Sequence, residues 1–145
     1  MKNLTLALTL IVTLSLFANT PAFAIDTPEI LSVSFDAYKN EGFEKAFKIW
    51  MKGSPLENDK TSLLSMKGGF TQIETLYGKM IGYEIIRNYR IAKNVVRTYA
   101  VLFYEKGPLY LYVDCYRAAE NWIIPEMQFH TKAQMILPEK LIHKD

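Results

Sequence analysis

The stretch from Val95 to Phe129, VVRTYAVLFYEKGPLYLYVDCYRAAENWIIPEMQF, alternates between two kinds of side chain, and that alternation decides most of what the chain can become. Successive side chains on a strand point to opposite faces, so a period of two sorts residues onto two surfaces. Val95 to Glu105 and Leu109 to Arg117 are rich in Val, Leu, Tyr and Phe, and Glu105-Lys106-Gly107-Pro108 between them has the composition of a turn, which together predict a hairpin. A two- or four-residue loop centred on that tetrapeptide sets Tyr104 opposite Leu109, Leu102 opposite Leu111, Ala100 opposite Val113 and Thr98 opposite Cys115. These residues make one dry face. The other face carries Arg97, Tyr99, Val101 and Phe103 beside Tyr110, Tyr112, Asp114 and Tyr116.

A further strand follows from Trp122, after the turn-like Glu120-Asn121, and separates Ile123, Met127 and Phe129 from Trp122, Ile124, Glu126, Gln128 and His130. A matched turn places Glu126 among aliphatic residues, whereas a one-residue bulge returns it to the Asp114 face. The cost of burying an unpaired carboxylate favours the bulge. Pro125 implies an edge or irregular position.

Upstream, the periodicity changes from two to that of a helix. Asp26 or Thr27 is placed to cap a first helix with Pro28 and Glu29 in its opening turn, running to about Lys39 before Asn40-Glu41-Gly42. Phe43, Ala46, Phe47, Trp50 and Met51 define a second helix, ended by Gly53-Ser54-Pro55. A third begins near Asp59 to Thr61 with Leu63, Met66, Phe70, Ile73 and Tyr77 on one stripe, and Gly68-Gly69 in its middle is expected to weaken or kink it. Ile81 to Ala92 then reads as the first strand, with Tyr83, Ile85, Arg87, Tyr89 and Ile91 on one side and Glu84, Ile86, Asn88 and Arg90 on the other. Three helices followed by a four-strand antiparallel meander is an α+β layout, with helices gathered on one face of a curved sheet. The tail from Lys132 to Asp145 is expected to extend the last strand briefly and fray.

The first 24 residues read differently: Lys2, an apolar run from Leu4 to Ala18, and Ala22-Phe23-Ala24 follow the order of a secretory signal peptide. The run falls short of the ~20 apolar residues a spanning helix needs, so the expected product starts at Ile25, carries no membrane anchor and is periplasmic or secreted. Removing residues 1–24 of the 145 leaves 121, enough for a single domain over 25–145. Without Lys2 the 17 basic residues fall to 16 against 15 acidic ones, a net charge of +1 with no block of either sign, so nucleic acid is not an expected partner. Cys115 is the one cysteine, which forbids an internal disulfide, and its place in the dry row predicts a buried, inert thiol.

The layout, together with Tyr77-Gly78, Gly82-Tyr83-Glu84, Tyr104-Glu105 and Gly107-Pro108 at the turn, and Trp122-x-Ile124 followed by Phe129 and His130, resembles the nuclear transport factor 2-like superfamily. More narrowly it is similar to the small exported bacterial members. The resemblance implies a cone-shaped sheet wrapped on helices, a pocket inside the cone and dimerisation through the outer face of the sheet. The fold alone does not carry a function over, because that superfamily holds isomerases, dehydratases and hydrolases beside many proteins that are not enzymes.

The candidate ligand-binding residues are Arg97, Tyr99, Tyr112, Asp114, Tyr116 and His130. The isomerase branch of the superfamily it resembles uses carboxyl and tyrosine groups in a pocket, so the resemblance implies, as one reading, a small cofactor-independent isomerase or hydratase with Asp114 as general base and Tyr99, Tyr112 or Tyr116 as donors. In the assumed register an Asp114–Arg97 salt bridge on the diagonal accounts for the same residues structurally. His130 and His143 do not stand at metal-ligand spacing, so neither a metal nor a cofactor is expected, and Gly68-Gly69 lacks the context of a phosphate loop. A sheet apolar on both faces needs two coverings, and three helices supply one. The favoured reading is therefore an exported, non-enzymatic binding or interaction domain. It has a pocket between helices and sheet for a small amphipathic ligand and forms a homodimer through the sheet. The isomerase or hydratase is its alternative.

Overall fold

The computed structural model of the chain describes residues 25–143, and the signal peptide expected over residues 1–24 lies outside them. Three helices come first, α1 (Glu29–Glu41), α2 (Phe43–Met51) and α3 (Lys60–Tyr77). Gly42 alone separates α1 from α2. Its φ of +95° lies where only glycine sits without strain, and its N–H closes α1 by donating to the Tyr38 carbonyl at 3.0 Å. The expected cap of α1 is not made: Pro28 precedes the helix, and the Thr27 hydroxyl accepts a bond from Asn88 Nδ2 at 2.9 Å instead. The same amide donates to the Ile25 carbonyl at 2.9 Å, so these residues tie the start of the domain to the sheet. Asp59 does cap α3, its carboxylate accepting the Thr61 and Ser62 N–H groups at 3.1 Å each.

Helix α3 runs continuously through Gly68-Gly69, so the pair does not end it. A use for glycine at position 69 lies across the interface. A Cβ on Gly69 would stand 2.8 Å from Phe129 Cζ, so the bare backbone admits that ring, which packs on Phe70 with centroids 4.6 Å apart.

The strands β1 (Met80–Ala92), β2 (Val95–Tyr104), β3 (Gly107–Ala118) and β4 (Asn121–His130) form an open antiparallel sheet in the order β1-β2-β3-β4. The faces of the β2–β3 hairpin match the alternation, but its register is displaced by two residues. Tyr104 pairs with Gly107, Leu102 with Leu109, Ala100 with Leu111 and Thr98 with Val113. The turn is only Glu105-Lys106, and Gly107-Pro108 belongs to β3, whose start tolerates a missing N–H. In β1 a bulge between Ile85 and Arg87 reverses the faces: Tyr83 and Ile85 share a side with Leu102 and Ala100, and Arg87 and Tyr89 then join Tyr99 and Arg97 on the other. The expected one-residue bulge of β4 is present. Asp114 pairs with Glu126 and Tyr116 with Ile123, so Ile124, 1 % exposed, takes the buried place that unbroken alternation gives to Ile123.

The dry face is the one the helices cover. Phe35, Trp50 and Phe70 from the helices and Leu102, Leu111 and Val113 from the sheet are completely buried in one cluster. Each contributes roughly 1.5–3 kcal/mol relative to exposure, which makes this interface the main source of stability. Cys115 is buried in it, and burial, with Asp114 next in sequence, pushes its thiol up to about 12. The Nε1 of Trp50 is buried without a hydrogen-bond partner among the rings of Phe35, Tyr38, Phe43 and Phe70.

The C-terminal segment does not extend β4 and fray. It turns through a 3₁₀ helix at Ala133–Met135 and the short α4 (Glu139–Ile142) and lies back on the sheet. Leu137 is 8 % exposed, Lys140 Nζ sits 4.7 Å above the Tyr89 ring, and Leu141 edges a trough with Val101, Phe103 and Tyr110. Burial of Leu137 and partial burial of Leu141, invisible to a periodicity reading, hold the segment. No helix among the described residues is long and apolar enough to cross a membrane.

Candidate functional site

The two-residue shift in register decides the chemistry of the outer face. It puts Arg97 directly across from Asp114 and Tyr99 across from Tyr112, instead of on the diagonals. Arg97 then grips Asp114 with a fork: Nε donates to Oδ1 and Nη2 to Oδ2, both at 2.7 Å. Such paired, charge-assisted bonds are the strong ones, and this one raises the guanidinium further above its ordinary value. The guanidinium also lies 4.4 Å from the centre of the Tyr112 ring, a cation–π contact.

Tyr112 continues the chain of bonds by donating its hydroxyl to Glu126 Oε1 at 2.7 Å. Partial burial first, and that bond second, push the Tyr112 hydroxyl up to about 12. Tyr99, 8 % exposed, packs between Tyr89 and Tyr112 with centroids 5.9 and 6.1 Å away. Glu126 is the member of this group that was not among the candidates. A one-residue bulge in β4 makes its place on the Asp114 face legible from the sequence, whereas its bond to Tyr112 depends on the register.

Two candidates lie elsewhere. Tyr116 sits opposite Val95, 42 % exposed and outside the bonded group. His130 is opposite Tyr110, four residues along β4 from Glu126, which is on the order of 13 Å. Its Nδ1 accepts the Lys132 N–H at 2.9 Å, shaping the turn that sends the chain back over the sheet.

The bonded group has little freedom to transfer protons. A general base needs an enclosed site beside its substrate, whereas Asp114 lies on the outer face with each oxygen accepting a bond from Arg97. The Tyr112 hydroxyl is likewise committed to Glu126. Among the described residues no three His, Cys, Asp or Glu side chains gather as a metal site.

The interior between helices and sheet is filled by Phe35, Trp50, Phe70 and the dry row, and recesses open at its margins. A cleft of about 840 Å³ lies where Ile25 to Pro28 pass Arg90, Arg117 and Trp122. A groove of about 740 Å³ runs between α2 and α3 over Phe47, Met51, Leu63 and Leu64. On the outer face, the trough beside Leu141 measures about 630 Å³. Comparison of the chain with protein-family models, with curated proteins and with solved structures gives no match.

Proposed function

We propose that this chain is an exported, non-enzymatic binding domain of the nuclear transport factor 2-like superfamily, with its leader over residues 1–24 removed and the rest acting in the periplasm or outside the cell. In this reading the sheet wraps the helices as a cone, a small amphipathic molecule is the ligand, and two copies pair through the outer face of the sheet. Three helices followed by a four-stranded meander support the superfamily assignment.

One observation carries the pairing. The outer face holds Phe103 and Tyr116 at 38 % and 42 % exposure, and between them Arg97 is bonded to Asp114 and Tyr112 to Glu126. The centre of that face can be covered without stranding the Arg97–Asp114 pair, which enters the interface already bonded, while exposed Glu84 and Arg87 lie toward its rim on the edge strand β1. The C-terminal segment covers part of it, and a second copy covers the rest.

Sedimentation velocity on the chain from Ile25 onward tests this. The expectation is a dimer at micromolar concentration that Phe103→Glu converts to a monomer with unchanged far-UV circular dichroism. A monomer throughout that range removes the self-association.

A further inference from the structure

We propose that the groove between α2 and α3 is the binding site for a single-chain amphiphile with an anionic head, an alkyl carboxylate by chemical class. The inference rests on the binding-domain reading above and gives its ligand a place and a charge.

The groove has an apolar floor and a cationic rim. Phe47 and Met51 from α2, 5 % and 6 % exposed, form its base with Leu63 of α3. Leu64 stands on its wall 72 % exposed, a large apolar side chain that nothing else in the described residues covers. The volume of about 740 Å³ falls within the roughly 300–1,000 Å³ of small-molecule sites. Along α2 the lining runs from Glu44 to Lys52, about 12 Å at the helical rise.

Charge polarises the groove along that length. At one end Lys67 is neutralised by Glu44 at 2.8 Å and lies over the Phe47 ring at 5.2 Å, which roofs the apolar floor. At the other end Lys52 and Lys60 line the rim, with Lys48 midway along α2, and among the described residues none of the three forms an ion pair. Glu57, the one carboxylate there, accepts the Gly53 N–H at 2.9 Å. An alkyl chain laid from Lys52 toward Phe47 covers Leu64 and brings its head to the Lys52 and Lys60 ammonium groups, where two cations against Glu57, with Lys48 one turn away, leave a net positive charge. A neutral or cationic head gains nothing from that rim, and a short anion without a tail leaves the floor wet. Charge complementarity and the uncovered leucine therefore select the same ligand.

The test is isothermal titration of the chain from Ile25 onward with monomeric dodecanoate, with dodecyltrimethylammonium as the same tail on a cationic head and acetate as a head without a tail. Dodecanoate is expected to bind one molecule per chain, and the two controls to bind at least about tenfold more weakly, the equivalent of about 1.4 kcal/mol. Lys52→Glu with Lys60→Glu, and separately Leu64→Asn, alter exposed positions and are each expected to weaken dodecanoate binding by about tenfold or more with the far-UV spectrum unchanged. Equal binding of both head groups, or affinity that ignores the lysine and leucine variants, overturns the site. So does binding to vesicles of anionic phospholipid with none to monomeric dodecanoate, which would make the surface a membrane contact. Sedimentation of the unmodified chain separates this inference from the pairing: a dimer that does not take up dodecanoate loses the groove and keeps the pairing, and a monomer that takes it up loses the pairing and keeps the groove.

Discussion

The phenolic oxygens of Tyr38 on α1 and Tyr104 on β2 lie 2.9 Å apart inside the domain, where the two residues are 2 % and 3 % exposed. Burial raises both hydroxyls well above the usual tyrosine range, so each remains protonated and bonds to the other. The bond spans helix and sheet through a setting of rings, with Phe43, Trp50, Phe70 and Tyr104 all within 6.2 Å of the Tyr38 ring centre.

This geometry predicts a non-additive pair. Tyr104→Phe leaves a buried Tyr38 hydroxyl unpaired and should cost about 1–3 kcal/mol, and Tyr38→Phe the same. The double variant removes both polar atoms and should cost clearly less than the sum. Urea unfolding of the four proteins checks it, and additive losses would mean that the hydroxyls do not act on each other.

Adjacent glycines in α3 should respond to alanine with opposite signs. Gly68 is exposed with nothing within 4 Å of a built Cβ, so Gly68→Ala should gain roughly 1 kcal/mol from helix propensity. Gly69→Ala gains the same propensity but drives a methyl to 2.8 Å from Phe129 Cζ, and overpacking of that kind costs about 1–3 kcal/mol. Thermal melts should therefore order the proteins G68A, then wild type, then G69A. Equal gains at both positions would show that the Phe129 ring moves aside freely.

Gly68 and Gly69 read alike in the sequence, and only the tertiary contact with Phe129 tells them apart. Period-two alternation assigned the faces of β2 and β3 correctly because it depends only on neighbours in the chain. Register depends on where a turn begins, and Gly107-Pro108 has turn composition while serving as the start of a strand. That displacement by two residues turned a diagonal Arg97–Asp114 contact into a direct one. The β1 bulge was hidden because Ile85 and Ile86 are chemically alike, so nothing marks which of them faces the core. The β4 bulge was legible because Glu126 carries a charge whose burial is expensive. The α2–α3 groove was out of reach: its lysines read as the solvated side of two separate helices, and only their packing sets them around one apolar floor.

Alkaline pH should destabilise the domain through Cys115. Its thiol is pushed up to about 12 from 9.0 by burial, so above pH 9.0 the unfolded chain releases a proton that the folded chain retains. The unfolded state then binds fewer protons, and stability, fully present below pH 9.0, falls as pH rises toward about 12. One such group contributes a slope on the order of 1.4 kcal/mol per pH unit. Tyr38 and Tyr104, raised from 10.0, add to it at higher pH. Cys115→Ala costs some packing at neutral pH but should show a shallower decline, so the gap to wild type closes as pH rises. Parallel curves in urea melts from about pH 8 to about pH 11 would exclude the thiol as a source of the slope.

Two ion pairs of similar length should differ widely in worth. Lys67 and Glu44 meet at 2.8 Å with side chains 38 % and 67 % exposed, where water and salt screen most of the attraction. Glu44→Gln should therefore change stability by no more than about 0.5 kcal/mol. Arg97 and Asp114 meet at 2.7 Å with side chains 31 % and 16 % exposed, through two parallel bonds and with the guanidinium stacked on Tyr112. Arg97→Lys keeps the charge but loses the fork and the stack, so it should cost about 1–3 kcal/mol and release Asp114 toward solvent. If only charge mattered, lysine would restore stability at position 97, and the loss would vanish in a low-salt melt. If fork and stack are what hold the face together, the lysine variant stays impaired at every ionic strength. The outer face then softens around Tyr99 and Tyr112, which hydrogen exchange at β2 and β3 amides would register as faster opening.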